Sequence, residues 1–409
     1  MTDFTAAASQ IMGRLEKLGR ISQSEQYLDR RYLTDEHMRT NQLVAKWMAE
    51  ASMHTWQDAA GNLWGRYPSS TSNAPRFIIG SHLDTVPNGG KYDGMLGVIA
   101  PITLVSLLAQ VQHTFPFHLD IVGFGDEEGT RFGTTLLGSR ALSGKWLASW
   151  GELKDQDGVT LAQAMKNFGL DFDLVSDAAL SATELLGYVE LHIEQGPVLE
   201  GEGLAVGVVS AIAGARRLEI AVTGSAGHAG TVPMSMRQDA LCATSEMILA
   251  IEKMAREQNL VATVGKIVNR PNGVNVISGS TTFSLDIRSE DDRHRDTVLE
   301  QIMLKLEQIA AQRGVALSST QTHNAPAVRC DALLQERLEK AIKACGYRPY
   351  TLASGAGHDA MAMADICPVA MLFTRCDRGI SHHPAEAIMQ EDVATSLAVM
   401  HHMLCNLSS

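Results

Sequence analysis

The sequence predicts an α/β protein: a mostly parallel sheet with helices on its faces, interrupted by an inserted ferredoxin-like α+β unit. Three observations carry this reading. In the first half, short apolar runs alternate with helical patterns, the rhythm of βαβ units. From Gly214 the pattern changes to period-two strands and two long helices in the order β-α-β-β-α-β, which is that of the split βαβ unit. After residue 328 the chain returns to helix, apolar strand and helix. The expected domains are therefore 1–212 with 328–409, and an insertion over 213–327.

The elements follow in order. Leu43, Val44, Trp47 and Met48 share a helical stripe over 41–53. Residues 61–67 read as turn then strand, and 68–75, rich in Ser, Thr and Asn, as a surface loop. Residues 77–81 and 118–124 are apolar strands. Between them 97–111 is apolar throughout, too short for a membrane span and better read as a buried helix with Pro101 near its first turns. In the insertion, 217–222 alternates with period two, 235–256 is helical, and 261–267 and 281–287 are strands. Residues 295–313 carry Val298, Ile302, Leu306 and Ile309 on one stripe, with Gly314 as the stop, and 315–320 is a last strand. The C-terminal part adds a helix over 332–345, a strand over 367–374 and a closing helix over 391–407.

Bulk properties narrow the function. The chain has 409 residues, 45% of them hydrophobic, enough for a large core. A formal net charge of −12 argues against a nucleic acid partner. Six cysteines without C-x-x-C spacing fit a reduced, cytoplasmic setting better than a disulfide framework. No apolar signal core precedes Arg20, and no membrane association is expected.

Five fragments end in metal-type ligands: Ser81-His82-Leu83-Asp84, Lys91-Tyr92-Asp93-Gly94, Gly125-Asp126-Glu127-Glu128-Gly129, Leu191-His192-Ile193-Glu194-Gln195-Gly196 and Ser381-His382-His383-Pro384. Two follow apolar strands, and open α/β sheets place ligands at strand carboxyl ends. Carboxylate oxygen and neutral imidazole nitrogen suit a divalent cation. In an extended chain His82 and Asp84 share a face, so His82 can ligate while Asp84 accepts its other ring proton. Adjacent acids at a strand end call for a cation or full solvation. Each fragment alone also admits a plain reading: a capped turn, an Asp-Gly turn, a solvated acidic loop, a surface histidine. Their joint occurrence is the inventory of a two-metal hydrolase.

In this order and spacing the fragments resemble the M20 family of dinuclear metallohydrolases. His192-Ile193-Glu194-Gln195-Gly196, Gly227-His228-Ala229-Gly230, Arg270-Pro271-Asn272-Gly273-Val274-Asn275, Gly357-His358-Asp359 and Gly379-Ile380-Ser381-His382 resemble its carbamoyl-amidohydrolase branch. The resemblance implies His82, Asp93 and His192 on one metal and Asp93, Glu128 and His382 on the other, with His382 chosen over His383 by its spacing to Glu386. It implies Glu127 as general base, Asp84 beside it, and His228 reaching a partner subunit's site to stabilise an oxyanion. It implies Asn275 and Arg288 on a substrate carboxylate, Gln195 on the ureido group, Gly357 and His358 lining the pocket, and Arg216 as a weaker contact. A plain surface ion pair is the other reading of Arg288. The resemblance further implies two divalent ions (Mn²⁺ or Zn²⁺, with Co²⁺ or Ni²⁺ admissible), a homodimer joined through the inserted lid, and a cis peptide at Asp93-Gly94. The expected reaction is hydrolysis of the linear ureido bond of allantoate, releasing ammonia and carbon dioxide. N-carbamoyl-L-amino acids, ureidoglycolate and N-carbamoyl-β-alanine are the alternative substrates. A dipeptidase or aminoacylase, and an inactive binding homologue, are remoter alternatives.

Overall fold

The computed structural model describes residues 4–71 and 73–407. Its strands in chain order are β1 (His54–Gln57), β2 (Leu63–Tyr67), β3 (Arg76–His82), β4 (His118–Phe124), β5 (Leu185–Ile193), β6 (Val206–Ile212), β7 (Gly214–Thr223), β8 (Gly227–His228), β9 (Val261–Thr263), β10 (Ile267–Arg270), β11 (Val276–Ile277), β12 (Ser280–Ser289), β13 (Ala316–Ala325), β14 (Val328–Arg329), β15 (Thr351–Ser354) and β16 (Val369–Thr374). The chain divides into two compact units, Met1–Ser210 with Cys330–Ser409, and Ala211–Arg329.

The first unit is built on a large mixed sheet running β1-β2-β4-β3-β5-β16-β6. Only its centre is parallel, at β4-β3, β3-β5 and β5-β16; β1, β2 and β6 join antiparallel. The expected mostly parallel sheet is thus a parallel core with antiparallel flanks. Of these antiparallel neighbours only β1 and β2 follow one another directly, through the short turn 58–62, which needs no crossover helix. β3 is buried along its whole length, as a central strand covered on both faces must be. The helix Met95–Gln110 is buried nearly all round and so lacks an amphipathic stripe. It begins two residues earlier than expected, directly after Gly94, and Pro101 lies inside it. It packs with the helices Phe4–Leu18 and Gln390–Cys405 in one hydrophobic core.

The second unit has a five-stranded antiparallel sheet in the order β10-β12-β7-β13, with β9 also on β12. The single strand expected over 261–267 is therefore two: β9 pairs Asp286 to Arg288, and β10 pairs Ser280 to Phe283. Leu218, Ile220 and Val222 of β7 alternate inward. They meet Met247 and Ile251 of the helix Ala240–Glu257 and Val298, Ile302 and Leu306 of the helix Asp292–Arg313. Gly314, with φ +67°, stops that second helix in the left-handed conformation glycine adopts freely. No helix among the described residues is long and apolar enough to cross a membrane.

Candidate metal centre

The carboxyl ends of β3, β4 and β5 converge. β3 ends on His82, β5 carries His192 as its penultimate residue, and Glu127 and Glu128 follow β4. The ring Nδ1 of His82 lies 3.0 Å from the Asp84 carbonyl, and that of His192 lies 2.9 Å from the Ile193 carbonyl. A carbonyl only accepts, so each Nδ1 must donate. Each Nε2 is thereby turned toward the same carboxylate.

That carboxylate is Asp93. Its Oδ1 lies 3.1 Å from His192 Nε2 and 3.6 Å from His82 Nε2, and its Oδ2 lies 3.1 Å from His382 Nε2. Glu128 Oε1 is 3.4 Å from the same His382 nitrogen. The candidate ligand atoms of His82, Asp93 and His192 lie within 4.8 Å of one another, and so do those of Asp93, Glu128 and His382. Asp93 Oδ1 and His192 Nε2 are buried, and neither is satisfied by a hydrogen bond. Buried orphan atoms of this kind are what a cation between them would satisfy, so the donor set fits two divalent ions sharing Asp93. Burial works against the Asp93 carboxylate, yet His192, His382 and His82 hold it well below the usual range.

Two backbone features make the approach possible. Gly94 has φ +72°, and a Cβ there would strike the His82 ring. A Cβ on Gly90 would strike the Glu386 carboxylate. The expected cis bond at Asp93-Gly94 is not found; the cis peptide among the described residues is Arg270-Pro271. Gly94 makes the reversal after Asp93 through its positive φ instead. Asp126, Gln195 and His382 also sit at positive φ, a conformation that costs a non-glycine residue free energy.

Asp84 does more than expected. Its carboxylate lies 3.5 Å from His82 Nδ1, beyond its own carbonyl at 3.0 Å. Its two oxygens also accept the backbone N–H groups of Glu127 (3.1 Å) and Glu128 (3.2 Å). Asp84 therefore fixes the turn that presents both glutamates. Burial, with Glu128, Asp359 and Asp84 nearby, pushes the Glu127 carboxyl well above the usual range in the metal-free protein, although His82 opposes this. Burial and Asp93 push Glu128 up to about 7.

Glu386, used in the sequence only to place His382, is a structural link. Its Oε1 accepts from the N–H groups of Tyr92 (3.0 Å) and Asp93 (3.2 Å), and its Oε2 from the Ser381 hydroxyl (3.0 Å). One buried carboxylate thus ties the Asp93 loop to the His382 loop, and an acid four residues after a ligand histidine was its signal. Glu190 is a further member that no pattern in the sequence marks. It accepts from Ser81, Tyr188 and the Ala360 N–H, and groups with His192 and His358. Gln195 points its amide at Asp93 Oδ2 (3.0 Å) and Ser381 (3.2 Å). His358 is buried edge-on against His192, 4.5 Å between centroids, with Nε2 2.8 Å from the Ser354 hydroxyl. Burial holds it well below the ordinary value for histidine, so it stays neutral. Gly357 precedes it and is exposed.

The remaining predicted residues belong to the second unit. His228 is exposed on β8, opposite Val276 of β11, and the Asn275 carbonyl accepts from Ala229 N–H. Arg288 on β12 places Nε and Nη2 on the two oxygens of Asp286, at 2.8 and 2.9 Å. Arg216 on β7 donates to Gln321 and pairs with Asp296. His228 and Asn275 are thus neighbours, and both arginine side chains hold partners within their own unit.

The titration of the centre has a measurable consequence. Asp93 raises metal-free His382 to about 9 against the pull of burial, with Glu128 adding to the effect. Against burial, facing carboxylates also raise His82 and His192. A ligand cannot keep that proton, so metal uptake near pH 7 should release protons, and affinity should rise with pH until about 9. In the metal-free protein the His382–Asp93 contact stabilises the fold fully below the ordinary histidine value of 6.5. That contribution is lost as pH rises through about 9. Calorimetric titration in buffers of different ionisation enthalpy checks the release. Heats independent of buffer would mean that the histidines are already neutral.

Known proteins share this architecture. The model for peptidase family M20/M25/M40 matches residues 78–406. An N-carbamoyl-L-amino acid amidohydrolase of Geobacillus stearothermophilus is 40% identical, covering 97% of both chains. A probable allantoate deiminase of Oryza sativa subsp. japonica is 39% identical over 95% of this chain and 86% of its own. The crystal structure of a hydantoinase/carbamoylase family amidase from Burkholderia multivorans superposes with a TM-score of 0.92 at 30% identity, covering 97% of both chains. The matched region includes every residue of the Asp93 cluster. The chain belongs to peptidase family M20/M25/M40, as an amidohydrolase of its carbamoylase and allantoate deiminase branch.

Proposed function

We propose that the protein hydrolyses the linear ureido bond of allantoate, using two divalent ions, Mn²⁺ or Zn²⁺ first among them. The observation that carries the reaction class is Asp93, shared between two ligand groups with Glu127 beside them and unassigned to either. Ions bound there would polarise the ureido carbonyl and acidify the attacking water. Glu127 takes the proton from that water and delivers it to the leaving nitrogen. Asp84 keeps Glu127 aimed, and Glu386 keeps the Asp93 and His382 loops together. Gln195 is placed to turn its amide toward a ureido group. Arg288, with Asn275 and the weaker Arg216, is assigned to the substrate carboxylate on its motif. Gly357 and His358 are assigned to the pocket wall. The six unpaired cysteines suit a reducing, cytoplasmic setting.

The second reading is an N-carbamoyl-L-amino acid, favoured by the 40% identity to a hydrolase of that name. Both substrates carry a carboxylate beside a ureido group and differ in the other arm. Ammonia release from allantoate, ureidoglycolate, N-carbamoyl-β-alanine and N-carbamoyl-L-amino acids, with Mn²⁺ added, decides between them. Allantoate should be fastest. A faster carbamoyl amino acid would install the second reading, and no turnover of any would leave a binding homologue.

The active unit is proposed to be a homodimer. Among the described residues β13 is paired with β7 along one side, and most of its ten residues are exposed, so its other edge is one that a second copy can cover. His228, exposed in the same unit, would then act in the partner's site. Mixing inactive His228→Ala with inactive Glu127→Gln should restore activity, because one site of each heterodimer is complete. Exchange of subunits without recovered activity would refute action in trans.

A further inference from the structure

Arg30 is fully buried, yet among the described residues it makes no ion pair with a carboxylate. A buried cation is costly unless its donors are satisfied. Here they are spread over three segments. Nε donates to the Leu83 carbonyl at 2.8 Å. Nη1 donates to the carbonyls of Leu18 (2.8 Å) and Ile21 (3.0 Å), at the negative end of the helix Phe4–Leu18. Nη2 meets the Met95 sulfur. The backbone adds two bonds: Arg30 N–H to the Thr85 hydroxyl (3.0 Å), and Thr85 N–H to the Arg30 carbonyl (2.9 Å). Burial lowers the guanidinium to about 10, with Asp84 opposing, so it keeps its charge at neutral pH.

The positions of these partners matter. Leu83 lies between His82 and Asp84, and Met95 lies two residues after Asp93. One planar, rigid fork therefore touches both loops whose ligands face the same gap. Arg30 itself lies outside residues 78–406, the part matched to the family model.

We infer that Arg30 is a positioning residue of the metal centre, holding the His82 and Asp93 loops at the spacing one ion requires and thereby setting metal affinity. This rests on the reading that His82 and Asp93 share an ion. The competing account is that Arg30 merely stitches the first helix to the core, which would move stability and nothing else.

Chelator-stripped protein titrated with Mn²⁺, alongside thermal melting, separates the two. Arg30→Met should weaken the tighter site by about tenfold or more, the scale on which outer partners of metal ligands act. Excess Mn²⁺ should restore kcat, because Arg30 touches no substrate. Arg30→Lys, which keeps charge and stem but not the fork, should recover part of the affinity, and it serves as the folded test if the methionine variant fails to fold. Arg14→Met is the control. Arg14 is a buried arginine of the helix Phe4–Leu18, bonded to Thr103, lying over Trp47 and paired with Glu50, with no bond to Leu83 or Met95 among the described residues. It should lower Tm without changing Mn²⁺ affinity. Arg30 variants that lose Tm like Arg14→Met but bind Mn²⁺ as wild type does would overturn the inference. Wild-type protein that binds no Mn²⁺, or binds it unchanged in His82→Ala, would instead overturn the reading of the site itself.

Discussion

Glu127→Gln should stop turnover while leaving the metal content of the protein unchanged. The amide keeps the size of the side chain and cannot take a proton, so general base catalysis is lost, typically about 10²–10⁴ in rate. Both backbone bonds that orient the turn, from Glu127 and Glu128 N–H to Asp84, survive the change. The group is buried and held above the usual carboxylate range in the metal-free protein, so it is poised to carry a proton. The test is stringent because Glu127 also lies within 4.8 Å of His82 and Glu128, close enough to ligate. Metal analysis of the purified variant decides. A clear fall in bound ion would exchange the roles of Glu127 and Glu128.

Much of this arrangement was legible because local chemistry and topology agree. Period-two alternation over β7 and the helical stripe ended by Gly314 mark the second unit, since both patterns are imposed by a single buried face. The strand-end ligands were legible because a carboxylate pair after an apolar strand has few other uses. Other parts were hidden for stated reasons. The helix Asp35–Glu50 starts earlier than its apolar stripe, because its start is set by the Thr34 cap, whose hydroxyl accepts from His37 N–H. The helix Phe4–Leu18 and strand β6 were not anticipated, although Ile11, Leu15 and Leu18 recur at helical spacing. The split of the strand expected over 261–267 depends on its pairing along β12, which no local pattern encodes. The same holds for Glu190 and Arg30, whose partners lie 109 and 53 residues away in sequence, so composition near each says nothing of its work. Asp84 and Glu386 carry a local signal in their spacing from His82 and His382, but the backbone groups they hold lie 43 and 294 residues away.

Asp93→Ala should remove both ions, not one. Its Oδ1 faces His82 and His192, and its Oδ2 faces His382, with Gln195 also bound to Oδ2. Without it each candidate group falls from three protein ligands to two: His82 with His192, and Glu128 with His382. The loss also removes the negative charge that holds three histidines above their ordinary value. Proton release on titration with Mn²⁺ should therefore disappear along with binding. Asp93→Asn sharpens the test, since it keeps shape and a hydrogen-bonding oxygen near Gln195 while losing charge. It should bind weakly where alanine binds nothing. Metal content after gel filtration, read with ammonia release, distinguishes the outcomes. An alanine variant that keeps one tightly bound ion and near-full activity would place Asp93 in a single site, and the shared carboxylate, with the two-ion mechanism built on it, would have to be given up.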